Sequence, residues 1–317
     1  MNKPNGPTEN QHFVPRYLLR NFTDDKGRIW EFSTLLKKSK RRNGVKNIGT
    51  AHKFYDFPEK SSIRPKDDPL ASKQVFHVLN TKIEATEPAL LENTFFNKID
   101  NEAAKILNNF VQKTKKITQK ENKMFPINIL NQEEKDDLAG ILTIQAFRTK
   151  KFKDTLMELF LDFSQSKNVS VNLVDKDDSI ILAKYGLYNK ILFNRISDLF
   201  INYIWKICFN NSNQPFFISD NPVVMQPHLK SSDYSYKGRL ELNEGAGTEV
   251  VCPLTSDIIL IMRDRSYFSE DANNENKLVL LSIEEVNNYN KLQVLQCDKK
   301  FFCKEDKFDL AKKIYNC

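Results

Sequence analysis

His12 and Arg16 lie near the start of the chain and have side chains whose types and spacing could do chemistry. Histidine is the side chain best matched to proton transfer near neutral pH, and arginine commonly binds phosphate or carboxylate. Pro15 is a natural first residue of a helix, and Val14 before it has no side-chain oxygen to cap the free N–H groups. Such an open helix start favours an anion. In the alternative interpretation, His12 only hydrogen-bonds a neighbouring loop and Arg16 is a solvated charge.

A second candidate group follows a predicted buried strand, Pro215–Ser219, where the chain turns through Asp220, Asn221 and Pro222. Many enzymes place catalytic carboxylates where a strand meets a turn. Alternatively, Asp220 accepts hydrogen bonds from backbone N–H groups in an Asx turn. Both interpretations stay open from the sequence.

Gln145 and Arg148 are three residues apart in a predicted helix, so their side chains share a face. This face lies beside the apolar stripe of Leu138, Ile141 and Leu142. The pair is therefore either a surface feature at the edge of the stripe or a buried pair that reaches toward a site.

Glu84, Glu87 and Glu92 offer carboxylates on a long helix that the sequence predicts from about Gln74 onward. Glu84 and Glu87 share a face, and Glu84 with Asp220 could hold a divalent metal such as Mg²⁺. Glutamates on the solvent face of a helix are the commoner case, so the need for a metal stays unknown.

The elements that position these residues are expected to form an α+β protein, in which a central helical bundle packs against a small mixed or antiparallel sheet. Both the N-terminal and the C-terminal segments contribute to that sheet, which would bring His12 close to Asp220. Residues 1–10 are a flexible tail, and the remainder is a single domain. Its segments are an N-terminal site segment (11–72), the helical bundle (74–208, with its last helix running to Cys208), a sheet-forming segment (213–304) and a charged tail (305–317).

Two helix starts carry strong local signals. Asn131 precedes a run of acidic residues ending at Glu134, and Ser282 precedes Glu285 in a capping-box pattern. The lysine-rich segment Lys113–Asn128 is predicted to be a polar connection.

Composition narrows the class of protein. Hydrophobic residues make up 40% of the chain and charged residues 28%, which indicates a folded globular protein and excludes a disordered one. No run approaches the roughly 18 apolar residues that span a bilayer, and the first residues are polar, so we expect a cytoplasmic location and no membrane partner. Five cysteines without a CxxC pair predict reduced thiols, and neither a disulfide framework nor a zinc site.

The net charge and the basic clusters bear on the possible partners. Lysine and arginine number 48 against 41 acidic residues, a net charge of +7, and basic clusters such as Lys37–Arg42 are consistent with RNA or DNA. Solvated lysine-rich loops would give the same pattern. The sequence does not determine the oligomeric state.

Residues 11–22 (Gln-His-Phe-Val-Pro-Arg-Tyr-Leu-Leu-Arg-Asn-Phe), followed by Gly27-Arg28-Ile29-Trp30, resemble the opening of a bacterial family called domain of unknown function 4238. Later blocks are similar as well, so that the resemblance spans about residues 11–304: Gln145-x-x-Arg148-Thr149, Phe217–Val223, Cys252–Ser256 and the region Asn287–Asn290. The chain departs from the expected family pattern after Thr149, where Lys150-Lys151 replaces a proline.

The resemblance implies that the family's recurrent polar residues form one shared site. In this chain they map onto His12, Arg16, Gln145, Arg148, Asp220 and Asn221.

The leading hypothesis is a phosphodiester-cleaving enzyme, a ribonuclease or nuclease acting in bacterial defence or as a toxin. His12 would be the general acid or base, and Arg16 and Arg148 would hold phosphate. Asp220 would orient the histidine or bind a metal, and Gln145 and Asn221 would fix the substrate.

Two other functions stay open. One is a non-catalytic sensor that binds a nucleotide or a phosphorylated small molecule at the same arginines. The other is a structural, partner-binding protein whose interface is the apolar end of the third helix, Leu199–Trp205.

Overall fold

The computed structural model describes residues 10–52, 75–78, 81–84, 97–120, 128–152, 190–228 and 247–317. The predictions for the tail before Asn10, for Glu87 and for Glu92 lie outside these residues. The strands are β1 (Asn10–His12), β2 (Ile29–Ser33), β3 (Lys38–Arg42), β4 (Thr50–His52), β5 (Val75–Val78), β6 (Thr81–Glu84), β7 (Ile204–Asn210), β8 (Ile218–Ser219), β9 (Val224–Pro227), β10 (Thr248–Pro253), β11 (Ile258–Arg263), β12 (Leu278–Leu281) and β13 (Lys300–Cys303). The helices are α1 (Arg16–Arg20), α2 (Asn97–Lys120), α3 (Gln132–Phe147), α4 (Lys190–Asn202), α5 (Ile283–Gln296) and α6 (Asp309–Tyr315), with a 3₁₀ helix at Ser269–Asn274.

The α+β class is confirmed, but a helical bundle against a small sheet is not, because the described residues include a sheet of five strands. That sheet has the order β12-β7-β11-β10-β9, antiparallel except for the parallel pair β12–β7. A second, antiparallel sheet has the order β3-β2-β13-β8. Since β2 and β3 come from the start of the chain and β13 from near its end, the predicted sharing of a sheet by the two terminal portions is confirmed.

Helix α3 lies at the centre of the core. The ten consecutive residues from Leu138 to Phe147 are all buried, so this half of the helix is covered on every side. The sequence predicted a single apolar stripe here. Polar residues in this half, including Gln145, are therefore core residues.

The predicted helix starts at Asn131 and Ser282 are both confirmed, each with a complete capping box. Helix α2 extends to Lys120, so the prediction of a polar connection from Lys113 is wrong over its first eight residues. The apolar stripe continues there through Val111 and the buried Thr114, while Lys113 lies on the exposed side and pairs with Glu134 at 2.9 Å.

Residues 75–78 and 81–84, predicted to be helical, pair as the antiparallel strands β5 and β6. The stretch is rich in β-branched residues, which favour strands over helices. Glu84 ends β6, so the helix face that it was predicted to share with Glu87 does not form at this residue. Its pairing with Asp220 at a metal stays a prediction.

The third helix was predicted to reach Cys208, but α4 ends at Asn202 and β7 follows it. Strand β7 lies between β11 and β12 and is buried on both faces, so its apolar run shows no strand periodicity. Ile204 and Trp205 belong to the core, which removes the exposed apolar interface that the sequence predicted at this point.

No helix in the described parts of the chain is both long enough and apolar enough to cross a membrane. All five cysteines are free thiols, as predicted, and Cys208, Cys252 and Cys303 are buried.

Candidate functional site

The first block of the sequence folds into β1, a tight bend and the short helix α1. Pro15 is the N-cap, and the helix begins at Arg16, one residue later than predicted. No side chain caps the free N–H groups. Leu18 and Leu19 are buried in the core, whereas Arg16 and Arg20 are exposed. The helix is thus anchored by its apolar face and presents two arginines on its outer face.

The segment after β3 folds back against this helix. Strand β4 pairs with β1, and the carbonyl oxygen of Gly49 accepts hydrogen bonds from the N–H groups of Phe13 and Val14. Gly49 has a φ of +61°, and a Cβ atom on it would lie 2.9 Å from the Cβ atom of Val14. Only glycine allows this approach, which fixes the loop 43–49 beside α1.

An open cavity of about 770 Å³ lies between α1, the turn that follows it, and this loop. Its basic lining residues are Arg16, Arg20, Arg42 and Lys46, and its acidic ones are Asp24 and Asp25. We call this cavity the cationic pocket.

Two of the charged lining residues of the cationic pocket are already neutralised. Arg42 donates hydrogen bonds to Glu31 at 3.0 and 3.2 Å, and Asp24 accepts one from Arg28 at 2.7 Å. Hydrogen bonds from Arg28 hold the pKa of the Asp24 carboxyl below its usual range.

Arg16, Arg20 and Lys46 form no ion pair within the part of the chain that the structure describes. Together with Asp25, they leave the cationic pocket with a net positive charge. A concave surface with this charge favours an anionic ligand.

His12 lies behind the wall of the cationic pocket and does not line it. Its ring is buried, and Nε2 lies 3.1 Å from the carbonyl oxygen of Lys46. Burial, reinforced by the positive charges of Arg16 and Arg148, lowers the pKa of His12 from 6.5 to about 4. The imidazole is therefore neutral at physiological pH and binds the loop, which is the alternative that the sequence left open.

This lowered pKa makes the fold sensitive to acid. Between about pH 4 and pH 6.5 the folded state binds fewer protons at His12 than the unfolded state, so stability falls as the pH falls through this window. We expect His12 to account for a loss of about 2 kcal/mol between about pH 7 and pH 5. Urea denaturation of the wild type and of His12→Gln at several pH values measures this loss of stability. Identical dependence of stability on pH in the two proteins would contradict the prediction.

Arg148 is the C-cap of α3, and its side chain is only 1% exposed. Nη1 donates to the Asp100 carboxylate at 2.7 Å, and Nη2 donates to the carbonyl oxygen of His12 at 2.7 Å. Gln145, one turn earlier, donates from Nε2 to the carbonyl oxygen of Phe13 at 3.0 Å. The two side chains share a face, as predicted, and they are a buried pair that holds the backbone of residues 12 and 13.

Asp220 is buried and is surrounded by backbone donors. Its two carboxylate oxygens accept hydrogen bonds from the N–H groups of Asp298, Lys299 and Lys300 at 2.7, 2.8 and 2.9 Å. Burial raises the pKa of Asp220 to about 6, against the opposing effect of these three bonds. The carboxylate thus fixes the start of β13. It accepts hydrogen bonds from backbone N–H groups, as the alternative interpretation held, but these belong to residues 298–300 and not to an Asx turn at Asp220 itself.

Asn221 links the third block to the second. Its Oδ1 accepts a hydrogen bond from the Thr149 hydroxyl at 3.1 Å, and its Nδ2 donates to the carbonyl oxygen of Gln296 at 3.1 Å. Lys150, which stands where a proline was expected, pairs with Asp298 at 3.1 Å and so adds a further tie between the same two regions.

The family model described as protein of unknown function (DUF4238) matches residues 10–307, nearly the whole chain. The chain belongs to the DUF4238 family. No curated protein and no solved structure matches it.

In this DUF4238 chain, the three blocks that suggested the family meet through hydrogen bonds. Gln145 and Arg148 bind the first block, and Thr149, the next residue, binds Asn221 of the third. Asp220 contacts a different partner, the turn before β13. Arg16 is the residue of the predicted set that lines the cationic pocket.

No group of three or more potential metal ligands occurs among the described residues of this DUF4238 chain. Three residues of this region were not predicted from the sequence: two cations of the cationic pocket that are unpaired within the described residues, Arg20 and Lys46, and the acid that pairs with Arg148, Asp100. Arg20 had a signal, because it is four residues after Arg16 and shares its helix face. Lys46 and Asp100 had none, since they come from a loop and from a helix remote in sequence.

Proposed function

We propose that this chain binds a phosphate-bearing ligand, a nucleotide or a phosphorylated small molecule, in the cationic pocket. The observation that carries this proposal is the convergence of Arg16, Arg20 and Lys46, none of them in an ion pair within the described residues, on a cavity of about 770 Å³. Arginine and lysine are the side chains that proteins use to bind phosphate. The volume falls within the range of sites for ligands of this size.

The contacts of the buried polar residues support binding rather than cleavage. His12 contacts the carbonyl oxygen of Lys46 in the wall of the cationic pocket, Arg148 binds Asp100 and the backbone of His12, and Asp220 binds the turn before β13. Cleavage of RNA or DNA, with or without Mg²⁺, and a role in bacterial defence or as a toxin stay predictions from the sequence. A cytoplasmic location is part of the same proposal.

The binding test compares matched pairs of variants. We expect Arg16→Ala and Lys46→Ala each to weaken binding about tenfold or more, because each removes a charge-assisted hydrogen bond to phosphate. Isothermal titration calorimetry with ATP, GTP, AMP and inorganic phosphate measures the affinity of each variant. The control is Arg195→Ala with Lys291→Ala, which removes two exposed cations from α4 and α5.

Two results would overturn the proposal. One is that none of these probes binds the wild type, and the other is that both pocket variants bind as tightly as the control. Incubation of wild type and His12→Gln with RNA and DNA, with and without Mg²⁺, tests cleavage separately. Cleavage by the wild type that is lost in His12→Gln, at a pH where both are folded, would restore the catalytic hypothesis.

A further inference from the structure

The turn between β2 and β3 presents two adjacent leucines to solvent. Leu35 is 80% exposed and Leu36 is 68% exposed, more than the exposed leucines elsewhere in the described chain, Leu280 at 59% and Leu295 at 56%. Those other leucines stand apart, on β12 and α5. These two neighbouring, largely exposed leucines form a small apolar patch at the tip of a hairpin, a feature that suits contact with a partner.

Hydrogen bonds hold this turn in place and keep the leucines outside. Thr34 donates from its backbone N–H and from its hydroxyl to the carbonyl oxygen of Lys299, at 2.9 and 3.0 Å. The N–H of Leu36 donates to the Ser33 hydroxyl at 3.2 Å, and Lys37 donates from Nζ to the carbonyl oxygen of Tyr315 at 2.9 Å. The leucines are therefore displayed by a fixed turn and cannot fold back onto the sheet without breaking it.

The surface around the tip is strongly basic. Lys38, Lys40 and Lys299 are exposed, and no acidic side chain in the described residues pairs with them. Glu31, the acid on the same hairpin, is buried and is bound by Arg42 and Lys300. The patch is thus two leucines framed by free positive charges.

We propose that this hairpin tip docks on the surface of an anionic lipid bilayer. The leucines would enter the boundary of the acyl chains, and the surrounding lysines would contact the phosphate headgroups. A nucleic acid would satisfy the lysines but leave both leucines in water, so the bilayer accounts for more of the surface. This contact needs no spanning helix, and it revises the prediction from the sequence that there is no membrane partner.

The proposed docking surface is separate from the cationic pocket. The tip precedes Lys38 at one end of β3, and Arg42, which lines the pocket, is at the other end. Five residues of strand hold these ends roughly 13 Å apart. Each of the two proposals can therefore fail without the other.

The experiment is co-sedimentation of the full chain with vesicles of phosphatidylcholine alone and with vesicles that also contain phosphatidylglycerol. We expect binding to the mixed vesicles, and about tenfold or greater weakening in Leu35→Ser with Leu36→Ser, because the apolar contact is lost. Lys38→Glu with Lys40→Glu should abolish binding, and added salt should weaken that of the wild type. The control, Leu280→Ser with Leu295→Ser, removes two exposed leucines elsewhere and should bind like the wild type.

A second readout places the tip in the bilayer directly. In Leu36→Trp, addition of mixed vesicles should shift the fluorescence emission to shorter wavelength, whereas Leu280→Trp should show no such shift. Circular dichroism confirms that each variant is folded. Arg16→Ala with Lys46→Ala should bind vesicles like the wild type, which separates this test from that of the cationic pocket.

Several outcomes would overturn the proposal. These are no binding of the wild type to mixed vesicles, equal binding to both kinds of vesicle, and undiminished binding by the serine variant. Binding that depends on the lysines and not on the leucines would assign the surface to polyanions in general, and an oligonucleotide that competes for it would point to a nucleic acid. Tight binding of the tip to an acidic protein in place of vesicles would also refute it.

Discussion

Replacing Arg148 with alanine is expected to lower the free energy of unfolding by about 3–5 kcal/mol. The substitution removes a guanidinium that is 1% exposed, leaves the Asp100 carboxylate, which is 25% exposed, without this partner, and removes a donor to the carbonyl oxygen of His12. The loss of these hydrogen bonds at a buried side chain costs more than the loss of an exposed ion pair. Arg148→Lys should recover only part of the loss, because one ammonium group cannot bridge both acceptors in the geometry of a guanidinium.

Urea denaturation at neutral pH measures this effect. The control is Lys105→Ala on α2, whose ion pair with Glu102 is exposed and whose loss should cost less than about 1 kcal/mol. If Arg148 were held in readiness for a substrate phosphate, alanine would leave stability unchanged or raise it, since sites reserved for chemistry are commonly destabilising. Equal stability of Arg148→Ala and Lys105→Ala would therefore contradict the structural role.

Replacing Asp220 with alanine is expected to lower the free energy of unfolding by about 3 kcal/mol or more. Three backbone N–H groups, those of Asp298, Lys299 and Lys300, would lose an acceptor that is itself only 6% exposed, and each group left unsatisfied away from water costs roughly 1–3 kcal/mol. Asp220→Asn keeps the size and one acceptor oxygen, so its cost should be intermediate.

These measurements belong at about pH 8, above the pKa of about 6 to which burial raises Asp220, so that the wild type carries the carboxylate. Asp309→Asn is the matched control, because its side chain is 83% exposed and pairs only with Lys312 among the contacts described. A wild-type unfolding curve for Asp220→Ala would show that the three bonds contribute nothing. It would return Asp220 to the list of candidates for catalysis.

Helix starts were predictable from sequence because their signal is local. The capping boxes at Asn131 and Ser282 depend on residues three apart, and both are present in the structure.

The failures occurred where the decisive neighbours are distant in sequence. Residues 204–210 form a strand because β11 and β12 cover its edges and both of its faces are buried, and no local periodicity reports this. Residues 75–84 show that apolar spacing alone cannot separate a helix from a hairpin rich in β-branched residues.

In the candidate site, too, residue types could be recognised from the sequence, whereas their contacts could not. The residue types at His12, Arg148 and Asp220 marked them as special, and each is indeed buried and fully engaged. Their roles could not be predicted, because the groups they bind are mostly backbone N–H and C=O groups, which every residue carries and which leave no trace in residue type. Lys46 was missed for a related reason, since only the folded loop brings it to Arg16.

The pairing of β2 with β13 has a consequence for how the protein is made. Trp30 lies opposite Cys303, so this pair of strands forms only after the chain has been synthesised as far as Cys303. Contacts of such long sequence separation form slowly, because the ordering of the intervening chain precedes any gain from pairing. Until then the inner edge of β2 is open to wrong partners, whereas the basic residues of β3 repel other chains from the outer edge. The lysines and arginines of β3 thus disfavour pairing with other chains during synthesis as well as after it.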